Sequence, residues 1–328
     1  MTSITPSATA TGPDSGRSRR ALRGRGGRVG GGGGGGYGRS ERRLAALLLS
    51  PAMLLIALVA AYPIAYAVWL SLNEYSIRVP GLSRFAGTRN YQAAFDGGFW
   101  GALWNTLVFT VASVSLELML GLAMALAMHH AFKGRALLRA TVLIPWATIT
   151  AVTAITWRSI FEPGLGFAPQ LLAKLGIGGD IVWLGERGYA MAVLIFADVW
   201  KTAPFMALLL LAGLQVIPDD VYEAARVDGA TAWQSFRWVT LPLLVPAMLV
   251  ALIFRTLDAL RIFDLPAVLT DGTNGTQVLS LLAYQELTQN RLVGLGAALS
   301  VLTFAVVMVV SFLYIRFVGG NIRALAED

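Results

Sequence analysis

The sequence predicts an all-α, polytopic membrane protein with six transmembrane helices. Hydrophobic residues make up 56% of the 328 residues and charged residues only 14%, whereas about a quarter of the residues in a soluble domain are charged. Six apolar runs are each long enough to cross a bilayer as a helix, which takes about 20 residues. A short polar stretch with strong helix start and stop signals lies between the fourth and the fifth of these runs.

The N-terminal residues 1–43 carry much of the net charge of +7. They include an unbroken glycine run, Gly30 to Gly36, and they show no apolar periodicity. We predict a disordered cytoplasmic tail, because such a composition has little to bury. Basic residues ahead of an apolar run are more often an orientation signal than a nucleic-acid site, so no nucleic-acid partner is expected.

The apolar runs define the expected spans. The first, residues 44–72, is too long for a signal-peptide core, so we expect an uncleaved transmembrane helix. A transmembrane domain is predicted over residues 101–317, and residues 318–328 form a cytoplasmic C-terminus. Six spans put both termini on the same side of the membrane. The distribution of Arg and Lys indicates that this side is the cytoplasm. The five spans of the domain are expected at about 103–128, 139–161, 189–213, 241–263 and 293–317.

Two long segments between spans, 73–101 and 162–188, are predicted to lie on the outer side. They are rich in Pro, Gly and aromatic residues. Such segments are suited to contact an extracytoplasmic partner.

The polar stretch begins with a helix start signal. Pro218 is followed by Asp219 and Asp220, and acidic residues in a first turn favour the positive end of the helix dipole. Gly229 then predicts the end of this short helix, because glycine readily adopts the left-handed conformation.

A second short helix is expected directly afterwards. Thr231 and Gln234 have the spacing of a capping box, and Leu241-Pro242 marks the passage into the next apolar run. The stretch over residues 217–241, called the elbow below, is therefore predicted as two helices, each too short to be stable alone.

The elbow resembles the EAA loop of the permease subunits of binding-protein-dependent ABC importers. The resemblance implies that the elbow lies in the cytoplasm as a coupling helix and fits a groove on an ATPase subunit. An amphipathic surface elbow without this role is the alternative. The matching coupling residues are Glu223, Ala224, Ala225, Asp228, Gly229, Leu241 and Pro242.

Further segments extend the resemblance. Residues 104–107 resemble the start of the type-1 transmembrane domain of this family, and residues 198–206 and 254–264 resemble permeases of carbohydrate importers. From about residue 42 onward the chain is most similar to the permeases of mycobacterial-type trehalose importers. This resemblance implies uptake of a sugar, with trehalose expected and glycerol phosphate or another oligosaccharide as the alternative.

The family resemblance also implies partners and a location. A second permease subunit, ATPase subunits at the elbow and an extracytoplasmic solute-binding protein are expected, in a bacterial cell membrane. The chain has no Walker A loop and no cysteine, so ATP and Mg²⁺ are expected on the ATPase, with no cofactor, metal site or catalytic residue in this chain. A secondary transporter and a membrane-embedded enzyme are the rival classes. The first would not explain the elbow, and the second would need a nucleophile or metal motif, which none of the predicted spans contains.

Charged residues within the predicted spans are costly and are candidates for function. Asp198 and Arg255 lie on antiparallel spans at similar expected depth, so we predict that they pair or line a wet cavity near the translocation path. Ion pairs that only fix helix packing, or that face the second permease, are the alternative. Glu117 has no local partner and is expected to contact a polar cavity or another helix. The candidates are Glu117, Asp198, Lys201, Arg255, Asp258 and Arg261, of which the last three are three residues apart and predict one stripe.

Neutral polar and aromatic side chains are candidates for contacts with a sugar. Asn105 and Thr150 provide an amide and a hydroxyl, and Trp157 provides a face on which a sugar ring can stack. Plain helix packing is the alternative for each of them.

Overall fold

The computed structural model describes residues 39–75, 83–129, 134–177 and 181–327. Most of the predicted tail therefore lies outside the described residues. The chain divides into two units, Met1–Ala57 and Leu58–Asp328, and each is considered by itself. The described part is mostly helical.

The first unit contains α1, Arg39–Ile56, with Pro51 inside it. The second unit contains the other elements. They are α2 (Tyr62–Ser71), β1 (Asn73–Tyr75), β2 (Ser83–Phe85), α3 (Arg89–Asp96), α4 (Phe99–His129), α5 (Arg135–Ala147), α6 (Thr150–Ile160), α7 (Phe167–Lys174), α8 (Arg187–Leu214), α9 (Asp219–Val227), α10 (Ala232–Ser235), α11 (Leu241–Ala259), α12 (Asp264–Leu269), α13 (Leu279–Tyr284) and α14 (Val293–Glu327). Three π-helical turns, Ala57–Ala61, Phe236–Thr240 and Gln285–Gln289, each run directly into or out of an α-helix.

Within the described residues, five helices are long and apolar enough to cross a membrane, or six if one bent pair counts as a single span. The bent pair consists of Leu137–Ala147 and Thr150–Ile160, which meet at 88°. The five single-helix candidates are Leu44–Ser71, Phe99–His129, Arg187–Leu214, Ala232–Ala259 and Val293–Tyr314. These bounds differ by a few residues from most of the predicted spans.

The bend differs from the single helix predicted at 139–161. Thr148 and Ile149 both have extended backbone conformations, with ψ of 146° and 132°. The Thr148 hydroxyl donates to Pro145 O at 2.6 Å and lies 2.8 Å from the hydroxyl of Thr153. Backbone groups freed by the break are thus partly satisfied locally, as an irregular segment at membrane depth requires.

A small hairpin departs from the purely helical prediction. β1 and β2 pair antiparallel over three residues each, with Glu74 opposite Arg84. Strands of this length carry too little alternation to be recognised in the sequence.

The core of the second unit lies where α4, α8 and α11 pack together. Its largest fully buried side chains include Phe109, Leu194, Met206 and Leu244. Gly121 brings α4 close to α8, because a Cβ built on it would lie 2.7 Å from Met206 Cγ and 3.1 Å from the backbone nitrogen of Ala207. Small residues at such crossings allow close helix contact inside a membrane.

A second apolar cluster joins α3, α4, α13 and α14, with Phe99, Leu279 and Leu282 buried in it. Asn105 and Thr106 of α4 hold the start of α13. The amide of Asn105 donates to Gln277 O at 2.9 Å, and Leu279 N donates to the Thr106 hydroxyl at 3.0 Å. These two contacts fix α13 against the end of α4 that precedes the core.

Candidate functional site

The first helix of the elbow, α9, begins and ends as its sequence predicts. Asp219 and Asp220 occupy the first turn after Pro218. Gly229 has a φ of +76°, and the chain closes the helix with Gly229 N donating to Arg226 O at 3.1 Å and Ala230 N donating to Ala225 O at 2.9 Å. This bonding pattern is the Schellman motif, which satisfies the last carbonyl groups of a helix.

The second half of the elbow differs from the prediction. The capping box is present, with Gln234 N donating to the Thr231 hydroxyl at 3.3 Å and Thr231 N donating to Gln234 Oε1 at 2.8 Å. However, helix continues from Ala232 to Ala259 without a break. Leu241 and Pro242 therefore lie inside this helix, and only α9 is a separate short piece.

A π-helical turn over Phe236–Thr240 directly precedes Leu241-Pro242. Proline cannot donate to the carbonyl group four residues earlier and clashes with it in regular helix. A local π adjustment re-satisfies such groups in membrane helices, which explains how the helix passes through Leu241-Pro242.

The elbow has exposed apolar side chains that the positions of the helix start and stop residues did not predict. Val227, Trp233 and Trp238 are 88%, 66% and 71% exposed. Glu223 and Arg226 of α9 are also exposed and lie 3.8 Å apart. An ion pair in this setting contributes little to stability, so Glu223 is available to another molecule. Exposed apolar groups of this kind mark contact surfaces.

A buried group of charges, called the ion cluster below, connects α4, α8 and α11. It consists of Glu117, Asp198, Arg255 and Asp258. Arg255 binds Glu117 through two hydrogen bonds, from Nε to Oε2 at 2.6 Å and from Nη2 to Oε1 at 2.9 Å. Its Nη2 also donates to Asp198 Oδ2, and its Nη1 donates to Asp258 Oδ2 at 2.8 Å.

The cluster is shielded on one side and open on the other. The side chains of Glu117, Arg255 and Asp198 are 0%, 3% and 7% exposed, but Asp258 is 69% exposed. The hydroxyl of Thr202 lies 2.7 Å from Glu117 Oε1 and 2.6 Å from Asp198 O. The buried charges are thus paired and hydrogen-bonded, as burial in low dielectric demands.

The sequence placed Asp198 and Arg255 at similar depth, and the structure brings them into contact. It also gives Glu117 the partner on another helix that no local pattern could identify, and it adds Thr202, which the sequence did not single out. The predicted stripe is shorter than expected, because α11 ends at Ala259. Arg261 lies in the following turn, where its Nε donates to Leu257 O at 3.1 Å. Lys201 is partly buried and forms no ion pair in the described part of the chain.

The three candidate sugar contacts occupy different environments. Asn105 is 7% exposed and uses its amide to hold Gln277 O. Thr150 is half-buried in the first turn of α6. Trp157 belongs to an aromatic group in which it stacks with Phe161 at 6.1 Å and meets Phe196 edge-on at 5.1 Å. Asn105 and Trp157 thus already contact other side chains or backbone groups, as the packing alternative expects. A sugar-binding role stays a prediction for all three residues.

Comparison with known proteins decides the family. Residues 117–322 match the family model described as binding-protein-dependent transport system inner membrane component. The chain belongs to this family. The matched region begins at Glu117 and includes the elbow and the rest of the ion cluster.

Two curated members of such transport systems are similar over most of their length. The chain is 45% identical over 281 residues to the trehalose transport system permease protein SugA of Mycobacterium tuberculosis, covering 85% of this chain and 90% of SugA. It is 42% identical over 279 residues to the trehalose/maltose transport system permease protein MalF of Thermococcus litoralis, covering 84% of this chain and 94% of that protein. The predicted resemblance to permeases of trehalose importers is confirmed.

A solved structure shares the fold. A chain of a bacterial alginate ABC transporter, crystallised in complex with an alginate pentasaccharide-bound periplasmic protein, superimposes with a TM-score of 0.71. The two sequences are 22% identical, and the match covers 84% of this chain and 93% of that one. The two chains therefore share a fold.

Proposed function

We propose that this permease takes up a disaccharide, trehalose or a close relative such as maltose, through an ABC importer. The observation that carries the substrate class is the 45% and 42% identity, over most of each chain, to permeases named for trehalose and trehalose/maltose transport. Glycerol phosphate and other oligosaccharides are the runner-up substrates. A disaccharide presents many hydroxyl groups and apolar ring faces, which suit a path lined by neutral polar and aromatic side chains.

The chain works as one part of a larger assembly in this proposal. It pairs with a second permease subunit, and separate ATPase subunits bind ATP and Mg²⁺ and dock at the elbow. A solute-binding protein delivers the sugar on the opposite side of the membrane. The exposed side chains of Val227, Glu223 and Arg226 on α9 support docking at the elbow, because α9 is not part of a candidate membrane span and an isolated subunit leaves these groups uncovered.

The ion cluster lies between the two ends of this path. Asp258 is exposed on α11 while Arg255 holds it from the buried side. We place this face toward the second permease or the translocation path. Rigid-body movement of the helices would then carry the motion of the ATPase subunits to the sugar, in alternating access. Six spans with both termini in the cytoplasm complete the arrangement.

Uptake measurements test the proposed function. A strain that lacks this chain is complemented with it, and uptake of radiolabelled trehalose, maltose and glycerol phosphate is compared. We expect uptake of trehalose or maltose to return and to stop again when the partner ATPase is removed. Uptake of only glycerol phosphate would overturn the disaccharide assignment, and uptake that persists without the ATPase would indicate a secondary transporter.

A further inference from the structure

A cavity of about 480 Å³ lies between the end of α11, α13 and the middle of α14. Its size falls within the range of roughly 300 to 1,000 Å³ that small-molecule sites occupy. It lies at the end of α11 opposite to the elbow. Its walls are formed by Arg261, Ser280, Ala283, Tyr284, Leu287, Ser300, Thr303, Phe304 and Val307.

Three polar groups of this cavity remain available. Arg261 uses its Nε for Leu257 O, but its Nη1 and Nη2 donate to no described residue. Ser280 and the phenol of Tyr284 likewise have no side-chain hydrogen bond within the described part of the chain. By contrast, Ser300 and Thr303 already donate to carbonyl groups of their own helix. Ser300 and Thr303 can therefore only accept from a ligand, whereas the first three groups can also donate to it.

The ring of Tyr284, in the wall of the cavity, packs against a neighbouring aromatic ring. Tyr284 packs edge-on against Phe263, with ring centroids 4.9 Å apart. The π-helical turn Gln285–Gln289 begins directly after Tyr284 and brings Leu287 into the wall. The cavity thus combines a fixed aromatic ring with free donors, which is the pattern expected for recognition of a polyhydroxylated ligand.

From this geometry we propose that the Arg261 cavity is a sugar-binding site on the side of the permease remote from the elbow. The inference rests on the proposed function for its substrate class, a neutral disaccharide. Arg261, Ser280 and Tyr284 bind hydroxyl groups of the sugar, while the rings of Tyr284 and Phe304 contact its apolar faces. A sugar released on this side would bind here before it moves between the two permeases.

The absence of cysteine from the sequence makes a direct test possible. Ser280→Cys supplies the single thiol of this chain, and its labelling by a charged, water-soluble thiol reagent is followed in the reconstituted complex with the solute-binding protein. We expect labelling without sugar, and a rate at least about threefold lower with saturating trehalose, since the sugar covers the thiol. Leu175→Cys, directly after α7, is the control, because Leu175 is exposed, belongs to no candidate membrane span and lies outside the cavity.

A second arm separates direct contact from an indirect conformational effect. Arg261→Met or Tyr284→Phe is added to Ser280→Cys, and each is expected to reduce the protection by trehalose about threefold to tenfold, the effect of one lost hydrogen bond. Arg316→Met on α14 is the matched control and should leave protection unchanged.

Three results would overturn the site. The first is no labelling of Ser280→Cys, which would mean that lipid or the partner permease covers the cavity. The second is labelling that trehalose does not slow. The third is full protection by trehalose in the Arg261→Met and Tyr284→Phe variants. In each case wild-type uptake of trehalose would leave the proposed function intact. Failure of the wild-type complex to take up any disaccharide would instead contradict the proposed function.

Discussion

Arg255 occupies the centre of the ion cluster because its guanidinium group has five N–H donors in a fixed plane. It holds Glu117 with two of its nitrogens and reaches Asp198 and Asp258 with the remaining donors. Lysine, with a single nitrogen, could not maintain this geometry. The three carboxylates thus depend on one side chain from a single helix.

Arg255→Ala is therefore expected to be more harmful than Asp198→Ala. The first leaves two buried carboxylates without a counter-charge, whereas the second leaves Arg255 paired with Glu117. Breaking a buried pair in this way costs about 3 to 5 kcal/mol. The amount of folded permease in the membrane and the thermal unfolding of the purified complex provide the measurement.

Double variants supply the control for that prediction. Asp198→Ala combined with Arg255→Ala should be less harmful than the sum of the single effects, because the residues are in contact. Strictly additive losses would contradict a shared cluster. Arg316→Met, which removes a charge near the end of α14, should leave the complex as stable as the wild type.

Gly229 is a second position where one residue decides local structure. Its φ of +76° costs little for glycine but strains a residue with a Cβ, although no atom would obstruct the added carbon. Gly229→Val should therefore destabilise the elbow by roughly 1 to 2 kcal/mol. Gly229→Asn should be milder, since asparagine tolerates this conformation.

Protease accessibility of the elbow in the purified complex measures this effect. Cleavage should be fastest for Gly229→Val and close to the wild type for Gly229→Asn. Equal cleavage of the two variants would mean that backbone strain at Gly229 does not govern the elbow.

Local signals predicted these residues well, and distant contacts less so. The left-handed Gly229 and the Thr231 capping box follow from residues only a few positions apart. The Glu117–Arg255 contact joins residues 138 positions apart. Neither periodicity nor spacing encodes such a partner, so the sequence could indicate only that Glu117 needs one.

At the level of helices, Gly121 sets the distance between α4 and α8. Gly121→Ala should destabilise the complex by about 1 to 3 kcal/mol, because the new methyl group would overlap Met206 and the backbone of Ala207. Gly101→Ala on the same helix is the matched control, since its Cβ would meet no atom within 4 Å. Thermal unfolding that shifts equally in both variants would contradict the close packing at Gly121.

The helix α9 is expected to be the contact for the ATPase. Glu223→Lys places the wrong charge on its exposed face, and Gly229→Val strains the left-handed turn and misplaces the chain that follows. Both variants should insert normally and still allow the solute-binding protein to dock, but lose stimulated ATP hydrolysis and uptake. Pull-down of the ATPase and hydrolysis with and without loaded binding protein measure the effect.

A substitution outside the elbow shows whether the loss of hydrolysis and uptake is specific to the elbow. Arg316→Met changes a charge outside the elbow and should retain hydrolysis and uptake. Wild-type hydrolysis in both elbow variants would mean that the elbow is only a membrane loop, and the proposed ATPase contact would be lost.

The existence of most long helices followed from composition, but two transitions did not. The break at Thr148–Ile149 lies within a continuously apolar run, so no change in composition marks it. Leu241-Pro242 was interpreted as a boundary, yet a π turn carries the helix through it. In both cases the backbone adapts within an unchanged apolar pattern, which hydropathy cannot detect.

For the whole molecule, we expect the bent pair α5–α6 to cross the membrane as one span. Six spans require that it does, and a fold-back would leave five. Single cysteines at Leu137, Leu175 and Val227 distinguish these arrangements, because all three positions are exposed and the chain has no native cysteine. We expect Leu137→Cys and Val227→Cys to react from the cytoplasmic side and Leu175→Cys from the outer side.

Impermeant reagents applied to intact cells and to inverted vesicles provide that measurement. A Leu137→Cys variant that reacts from the same side as Leu175→Cys would show that the pair folds back. It would also place the N-terminus on the side opposite to the elbow, against the predicted orientation.

The residues of the ion cluster are synthesised at well-separated times. Glu117 leaves the ribosome 138 residues before Arg255, and Asp198 leaves it 57 residues before. At roughly 5 to 20 residues per second, the carboxylate of Glu117 waits about 7 to 28 seconds for its counter-charge. A ribosome that stalls before α11 would release a product in which the carboxylates of Glu117 and Asp198 lack Arg255, and an unpaired carboxylate is costly in a low-dielectric environment.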